Sequence, residues 1–218
     1  MKRIQAAIFD MDGLMVDTED LYFQAESEVA RRHGKSFDLQ LMQKMMGHKA
    51  VRSIQIMMET LGIEGSAREI ETLRDSLYRD LLMKGVEPMQ GLFDLFEWLE
   101  INGFRKAVAT SSKPEFKDII FDHLSLEDRF EVVVTAEEIS EGKPSPEIYQ
   151  VVLRRLGLHP GQSIVLEDSL PGLRAAKGAE CFCIIVPNRY TQNQDFSGAD
   201  LVASHLFRPE IRRLFQEL

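Results

Sequence analysis

Two carboxylates one residue apart, Asp10 and Asp12, close an apolar run at residues 4–9 and are followed at once by Gly13. Paired acids at the end of a buried strand are costly to desolvate unless something cationic joins them. Continued alternation would send both side chains to one side, but Gly13 turns the chain, so the pair is expected at a strand tip. There Asp10 can accept a phosphoryl group as nucleophile, and Asp12 can protonate a leaving oxygen and then deprotonate water. Other chemistry-bearing residues also follow apolar runs: Thr110-Ser111-Ser112 after residues 106–109, and Glu167-Asp168 after residues 163–166. Gly142-Lys143-Pro144 lies in the loop after residues 132–134.

Each group has a physical task. Asp10, Glu167, Asp168 and a backbone carbonyl near Asp12 would make a hard oxygen site suited to Mg²⁺. Lys143 supplies a second positive charge, and Thr110 and Ser111 can hydrogen-bond phosphate oxygens. Ser112 to Glu115 fits a capping box, which would aim helix amides at the same anion. Taken singly, each has an ordinary explanation: a turn aspartate, a helix cap, a solvated loop lysine. Taken together at one edge of one sheet, they describe a site for a phosphate and a metal.

The elements that must position them fall into two textures. Residues 16–88 carry helical periodicity, as in Leu21, Ala25, Val29 and Leu73, Leu77, Leu81, with no strand pattern. Beyond Gly91, apolar runs at 106–109, 132–134, 163–166 and 181–186 alternate with helical stretches at 92–101, 115–124, 146–156 and 170–176. Alternation of this kind implies an α/β fold, a parallel sheet with helices on both faces. The run at 4–9 joins that sheet. The expected organisation is an α/β core from residues 1–15 and 89–218, with 16–88 inserted as an all-helical unit beside Asp10 and Asp12. Ligands of open parallel sheets sit beyond the carboxyl ends of the strands, where the chemical groups fall.

The formal charge of −9 argues against a nucleic-acid surface, which needs an excess of Lys and Arg. The first apolar run is too short for a secretory core or a membrane span, so a cytoplasmic protein is expected. The expected partner is a small phosphorylated metabolite, and the expected state is a monomer. Cys181 and Cys183 alternate within an apolar run and are expected as buried strand residues rather than a redox or metal pair.

Four segments together carry a resemblance. Phe9-Asp10-Met11-Asp12-Gly13-Leu14-Met15-Val16-Asp17-Thr18-Glu19, Ala109-Thr110-Ser111-Ser112, Glu141-Gly142-Lys143-Pro144-Ser145-Pro146 and Val165-Leu166-Glu167-Asp168-Ser169 resemble the four ordered motifs of the haloacid dehalogenase superfamily. The match spans nearly the whole chain. It is closest in kind to the subgroup with a helical cap after the first motif, which holds small-molecule phosphatases and β-phosphoglucomutase. The resemblance implies a Rossmann-like core, Asp10 as nucleophile and Asp12 as acid and base. It also implies Thr110 and Lys143 as phosphate ligands, and Mg²⁺ on Asp10, Asp12 and Asp168. Asp12 and Glu167-Asp168 speak against dehalogenation, which in the family needs neither a second aspartate nor a metal.

β-Phosphoglucomutase carries a His in the first cap helix and a Lys before the cap glycine, where this chain has Tyr22 and Met46. The expectation is therefore a Mg²⁺-dependent phosphatase of sugar, polyol or nucleoside-type monophosphates, with a phosphomutase as the alternative. A phospho-accepting receiver domain is a further alternative, disfavoured by the helical insert. In the cap, His48, Lys49 and Tyr22 are candidates for substrate contacts, whereas Met42, Met45, Met46, Met57 and Met58 are expected as helix core. Cap opening would admit substrate and closure would exclude bulk water.

Overall fold

The computed structural model describes residues 4–46 and 50–218. In it, β1 (Ala6–Phe9), β2 (Arg105–Ala109), β3 (Val132–Val134), β4 (Ser163–Glu167), β5 (Phe182–Ile185) and β6 (Leu201–Val202) form one sheet. Its order is β3-β2-β1-β4-β5-β6, and every neighbouring pair is parallel. Every residue of β1 and β4 is buried, as befits central strands covered on both faces. Side chains divide by period two. Ala7 and Phe9 enter one core with Val108, Leu166 and Ile184, while Ala6 and Ile8 enter the other with Ala107, Val165 and Cys183. Cys181 and Cys183 are both buried in that second core and form no disulfide.

Among the described residues, four helices separate β1 from the next helix of the core: α1 (Glu19–Arg32), α2 (Leu39–Met45), α3 (Ala50–Leu61) and α4 (Ala67–Leu82). They enclose an apolar cluster of their own, built on Val29, Leu41, Met45, Ile54, Met57 and Ile70. The remaining helices are α5 (Leu92–Ile101), α6 (Pro114–Leu124), α7 (Glu147–Leu156), α8 (Leu170–Gly178) and α9 (Pro209–Glu217). The helical block is entered and left through neighbouring segments, because Val16 bridges Pro88 in antiparallel pairing. No described helix is long and apolar enough to cross a membrane.

Three expectations need correction. The first strand starts at Ala6 rather than residue 4, and β6 and α9 had no counterpart in the sequence reading. The capping box from Ser112 to Glu115 does not form. Pro114 occupies the first turn of α6 and puts Lys113 at the cap, with no side-chain cap bond. Ser112 Oγ instead donates to Asp12 Oδ2 at 2.7 Å, and Glu115 accepts from Arg79 Nη2 at 2.5 Å.

Candidate active site

The chain order around β1 makes the site. Strands β2 and β3 lie on one side of β1 and β4 to β6 on the other, so the loops leaving β1, β2 and β4 part at a switch point and open a crevice. In register, Phe9 sits beside Val108 and Leu166, which brings Asp10, Thr110 and Glu167-Asp168 off adjacent strand ends. Lys143 arrives from the loop before α7. Its Nζ donates to Asp10 Oδ1 and Glu167 Oε1, and to the Ala109 carbonyl at 3.3 Å. Asp10, Lys143, Glu167 and Asp168 are all buried.

Glu167 is enclosed and fully engaged. Beyond Lys143, it accepts from Tyr149 OH at 2.5 Å, from the Asp168 amide at 3.1 Å and from Ser169 Oγ at 3.2 Å. A Cβ on Gly172 would fall 1.9 Å from its carboxyl carbon, so the start of α8 can approach this group only without a side chain. Asp168 accepts from Asn188 Nδ2 at 2.8 Å, and the same amide donates to the Gly13 carbonyl at 3.2 Å. Gly13 has φ +76°, and a Cβ there would lie 2.6 Å from Asn188 Nδ2 and 2.8 Å from Asp168 Oδ2. Both the left-handed backbone and the close approach demand glycine at this turn.

Asp12 is half-buried and ringed by hydroxyls. Its Oδ1 accepts from Thr18 Oγ1 at 2.9 Å and Tyr78 OH at 3.4 Å, and its Oδ2 from Ser112 Oγ at 2.7 Å and Thr110 Oγ1 at 3.2 Å. Thr110 is fully buried and also accepts from the Ser112 amide at 3.0 Å. The cavity wall at this point is formed by Ser111 and Ser112.

Charge is unbalanced here. Burial pushes the Asp10 carboxyl up to about 8, opposed by Lys143 and reinforced by Glu167 and Asp12. Burial, reinforced by Glu167, Asp10 and Glu19, pushes Asp168 well up. Burial pulls Lys143 down, but Asp10 and Glu167 more than offset it and hold it protonated. Asp10, Glu167 and Asp168 each bring a carboxylate oxygen within 4.8 Å of the others. A buried cluster of hard oxygens with one lysine for counter-charge suits a divalent cation such as Mg²⁺. Asp10 and Asp168 are the better donors within it, since both oxygens of Glu167 already accept hydrogen bonds. The side chain of Asp12 faces the hydroxyls instead of joining this trio.

Above these groups lies a cavity of about 160 Å³ whose walls are shared with the helical block. Tyr22 lines it, stacked on Tyr78 with ring centroids 3.8 Å apart, its hydroxyl 3.4 Å from Ser112 Oγ. Met42, Met45 and Met46 also form wall, so the methionine stripe serves the cavity as well as the helical core that claims Met45 and Met57. His48 and Lys49, the other cap candidates, lie outside the described residues. The sequence reading missed Glu19, Glu26, Arg74 and Lys113 on the wall and Asn188 beneath it. Lys113 bridges core and cap, donating to Glu71 Oε1 at 2.7 Å and Asp75 Oδ2 at 2.5 Å of α4.

Residues 7–186 match the haloacid dehalogenase-like hydrolase family. The chain belongs to that family. Among curated haloacid dehalogenase-like relatives, a phosphorylated carbohydrates phosphatase of Thermotoga maritima is 34% identical over 176 residues, covering 81% of this chain and 82% of that protein. A fructose-1-phosphate phosphatase of Escherichia coli is 30% identical over 179 residues, covering 82% and 94%. Among solved structures, CbbY from Rhodobacter sphaeroides in complex with phosphate is 28% identical. It superposes with a TM-score of 0.83 over 93% of this chain and 94% of its own.

Proposed function

We propose that this haloacid dehalogenase-like hydrolase is a Mg²⁺-dependent phosphatase of small hydroxylated monophosphates, working through an aspartyl-phosphate on Asp10. The observation that carries this reading is the placement of Asp10 on the cavity floor, beside Lys143 and a buried acidic cluster. The relatives named as phosphatases of phosphorylated carbohydrates and of fructose 1-phosphate support it.

In the proposed first step, a carboxylate oxygen of Asp10 attacks phosphorus as the bond to the leaving oxygen breaks. Asp12 gives its proton to that oxygen, so the alcohol departs neutral. In the second step, Asp12 takes a proton from water as the water attacks the acyl phosphate, which returns Asp10 and frees phosphate. Lys143, Ser111 and Thr110 are assigned to the phosphate oxygens, and the hydroxyls of Thr18, Thr110 and Ser112 orient the Asp12 carboxyl between its two tasks. Asp10 and Asp168 would hold the Mg²⁺, with Glu167 fixing Lys143 beside them. When bound, the cation would offset the repulsion between a phosphate dianion and Asp10. Tyr22 and Met46 stand where β-phosphoglucomutase carries His and Lys, and both line the cavity, which favours hydrolysis over return of the phosphoryl group.

The test is phosphate release from sugar, polyol and nucleoside monophosphates, with and without Mg²⁺, by the wild type and Asp10→Asn. Turnover that needs both the metal and Asp10 is expected. Retained activity in Asp10→Asn would sink the nucleophile assignment. Isomerisation of β-glucose 1-phosphate to glucose 6-phosphate without net release would sink the hydrolase reading.

A further inference from the structure

Glu26 takes no part in the steps above, yet its position needs a reason. It lies in α1 on the cavity wall and is only 5% exposed. Among the described residues its carboxylate accepts no hydrogen bond, and its charge partner, Arg74 Nη1 of α4, stands 3.9 Å away. That gap is too long for a hydrogen bond, whereas arginine–carboxylate pairs built for structure close to about 2.8 Å. No donor among the described residues reaches this carboxylate, so its hydrogen bonds fall to whatever fills the cavity beside it.

Arg74 matches it. The side chain is buried, and its Nε donates to Asp75 Oδ1 at 2.8 Å. Its guanidinium carbon lies 5.6 Å from the Tyr22 ring centroid. No other hydrogen bond engages its terminal nitrogens among the described residues, although both Arg74 and Glu26 border the cavity. One oxygen that accepts from Arg74 and donates to Glu26 would satisfy both groups. An alcohol does this; a phosphate or carboxylate, having no proton to give at neutral pH, does not. A second anion would also meet Glu26 on the same wall, while the charge of Arg74 is already offset by Asp75 and Glu26 and that of Lys113 by Glu71 and Asp75.

We propose that Glu26 and Arg74 form an alcohol-reading pair that selects monophosphates with a neutral, hydroxylated leaving group and rejects those with a second anionic group. This deepens the phosphatase reading and rests on it. A hydrogen bond to a charged group corresponds to about tenfold to hundredfold in specificity, so removing the hydroxyl or Glu26 should each cost at least tenfold.

The experiment compares glycerol 3-phosphate, ribitol 5-phosphate and sorbitol 6-phosphate with propyl, pentyl and hexyl phosphate, which keep chain length and lose the hydroxyls. The quantity read is the kcat/KM ratio within each pair. At least one pair should show a ratio above ten in the wild type, falling tenfold or more in Glu26→Leu. Ratios near one in the wild type, or a Glu26→Leu variant that loses activity equally on both members, would overturn the proposal. Arg74→Met carries the same reading should Glu26→Leu fail to fold. Glu26→Gln, which keeps an acceptor but drops the charge, should raise kcat/KM for fructose 1,6-bisphosphate relative to fructose 6-phosphate; an unchanged ratio refutes the exclusion of a second anion. Calorimetric binding of the same pairs separates the two readings. If no ester is hydrolysed but binding depends on the hydroxyls and on Glu26, the phosphatase reading falls and the pair stands. Binding blind to hydroxyls overturns the pair.

Discussion

Glu26 can be tested without any substrate, through the pH dependence of stability. Burial pushes its carboxyl up from 4.5 to about 7, with Arg74 opposing the shift. A carboxyl whose folded value lies above its unfolded value stabilises the fold fully below the unfolded value, and that contribution is lost as pH rises through the folded value. Between these limits the native state binds more protons than the unfolded chain, so stability falls with rising pH. A shift from 4.5 to about 7 at about 1.4 kcal/mol per unit corresponds to about 3 kcal/mol lost between acid and alkaline conditions. Glu26→Gln removes this titration. The assay is urea unfolding of the wild type and Glu26→Gln at intervals from about pH 4.5 to 8, with a chelator present so that metal linkage is absent. Differences that do not vary with pH, such as the burial of an amide, cancel in the comparison. The variant should gain about 3 kcal/mol on the wild type across this window, most of it before pH 7, and level off above it. A difference that stays flat would show that the Glu26 carboxyl titrates in the fold as it does in the unfolded chain, and would refute the desolvated setting from which the pair is argued.

Two further outcomes follow from the site. Gly172→Ala would drive a methyl group into the Glu167 carboxylate, which cannot swing away because Lys143, Tyr149, Ser169 and the Asp168 amide hold it. A loss of about 3 kcal/mol by thermal or denaturant unfolding is expected, together with a fall in turnover as Lys143 moves; a variant as stable and active as the wild type would show that Glu167 is not fixed. Asp12→Ala should lower kcat by at least about a hundredfold on alkyl phosphates, and by less on an aryl phosphate whose leaving oxygen needs no proton. Equal losses on both would refute its role toward the leaving group.

The core site was legible because its residues are punctuation. Asp10, Thr110 and Asp168 each end an apolar run, and a parallel sheet converts such endings into neighbours. Lys143 ends no run and was readable instead from its Gly142-Lys143-Pro144 setting in the loop after residues 132–134. Glu26 and Arg74 gave no such signal. Each sits in an amphipathic helix where a charged residue ordinarily marks the solvated face, and only the packing of α1 on α4 turns both inward. Asn188 lies beyond the final strand run that could be recognised, and its role depends on a loop reaching back to Gly13. The false capping box at Ser112 shows local grammar losing to tertiary contact: Pro114 shifts the start of α6, and Asp12 claims the serine. The two residues of β6 are too few for a period to register, whereas α9 carries Ile211, Leu214 and Phe215 at helical spacing and was legible in the sequence.

The pairing of Val16 with Pro88 has an evolutionary and an engineering consequence. Since the chain leaves the sheet and returns to it through two segments already side by side, everything between them can be exchanged without pulling a strand or altering the register of β1 with β2 and β4. Such a junction lets selectivity be replaced wholesale, as one changes a bit in a fixed chuck, while Asp10, Lys143 and Asp168 stay in place, provided that the incoming block again supplies the hydroxyls that Thr18 and Tyr78 give to Asp12. New leaving groups could then be reached by transplanting a foreign helical block at these two residues rather than by redesigning the floor beneath it.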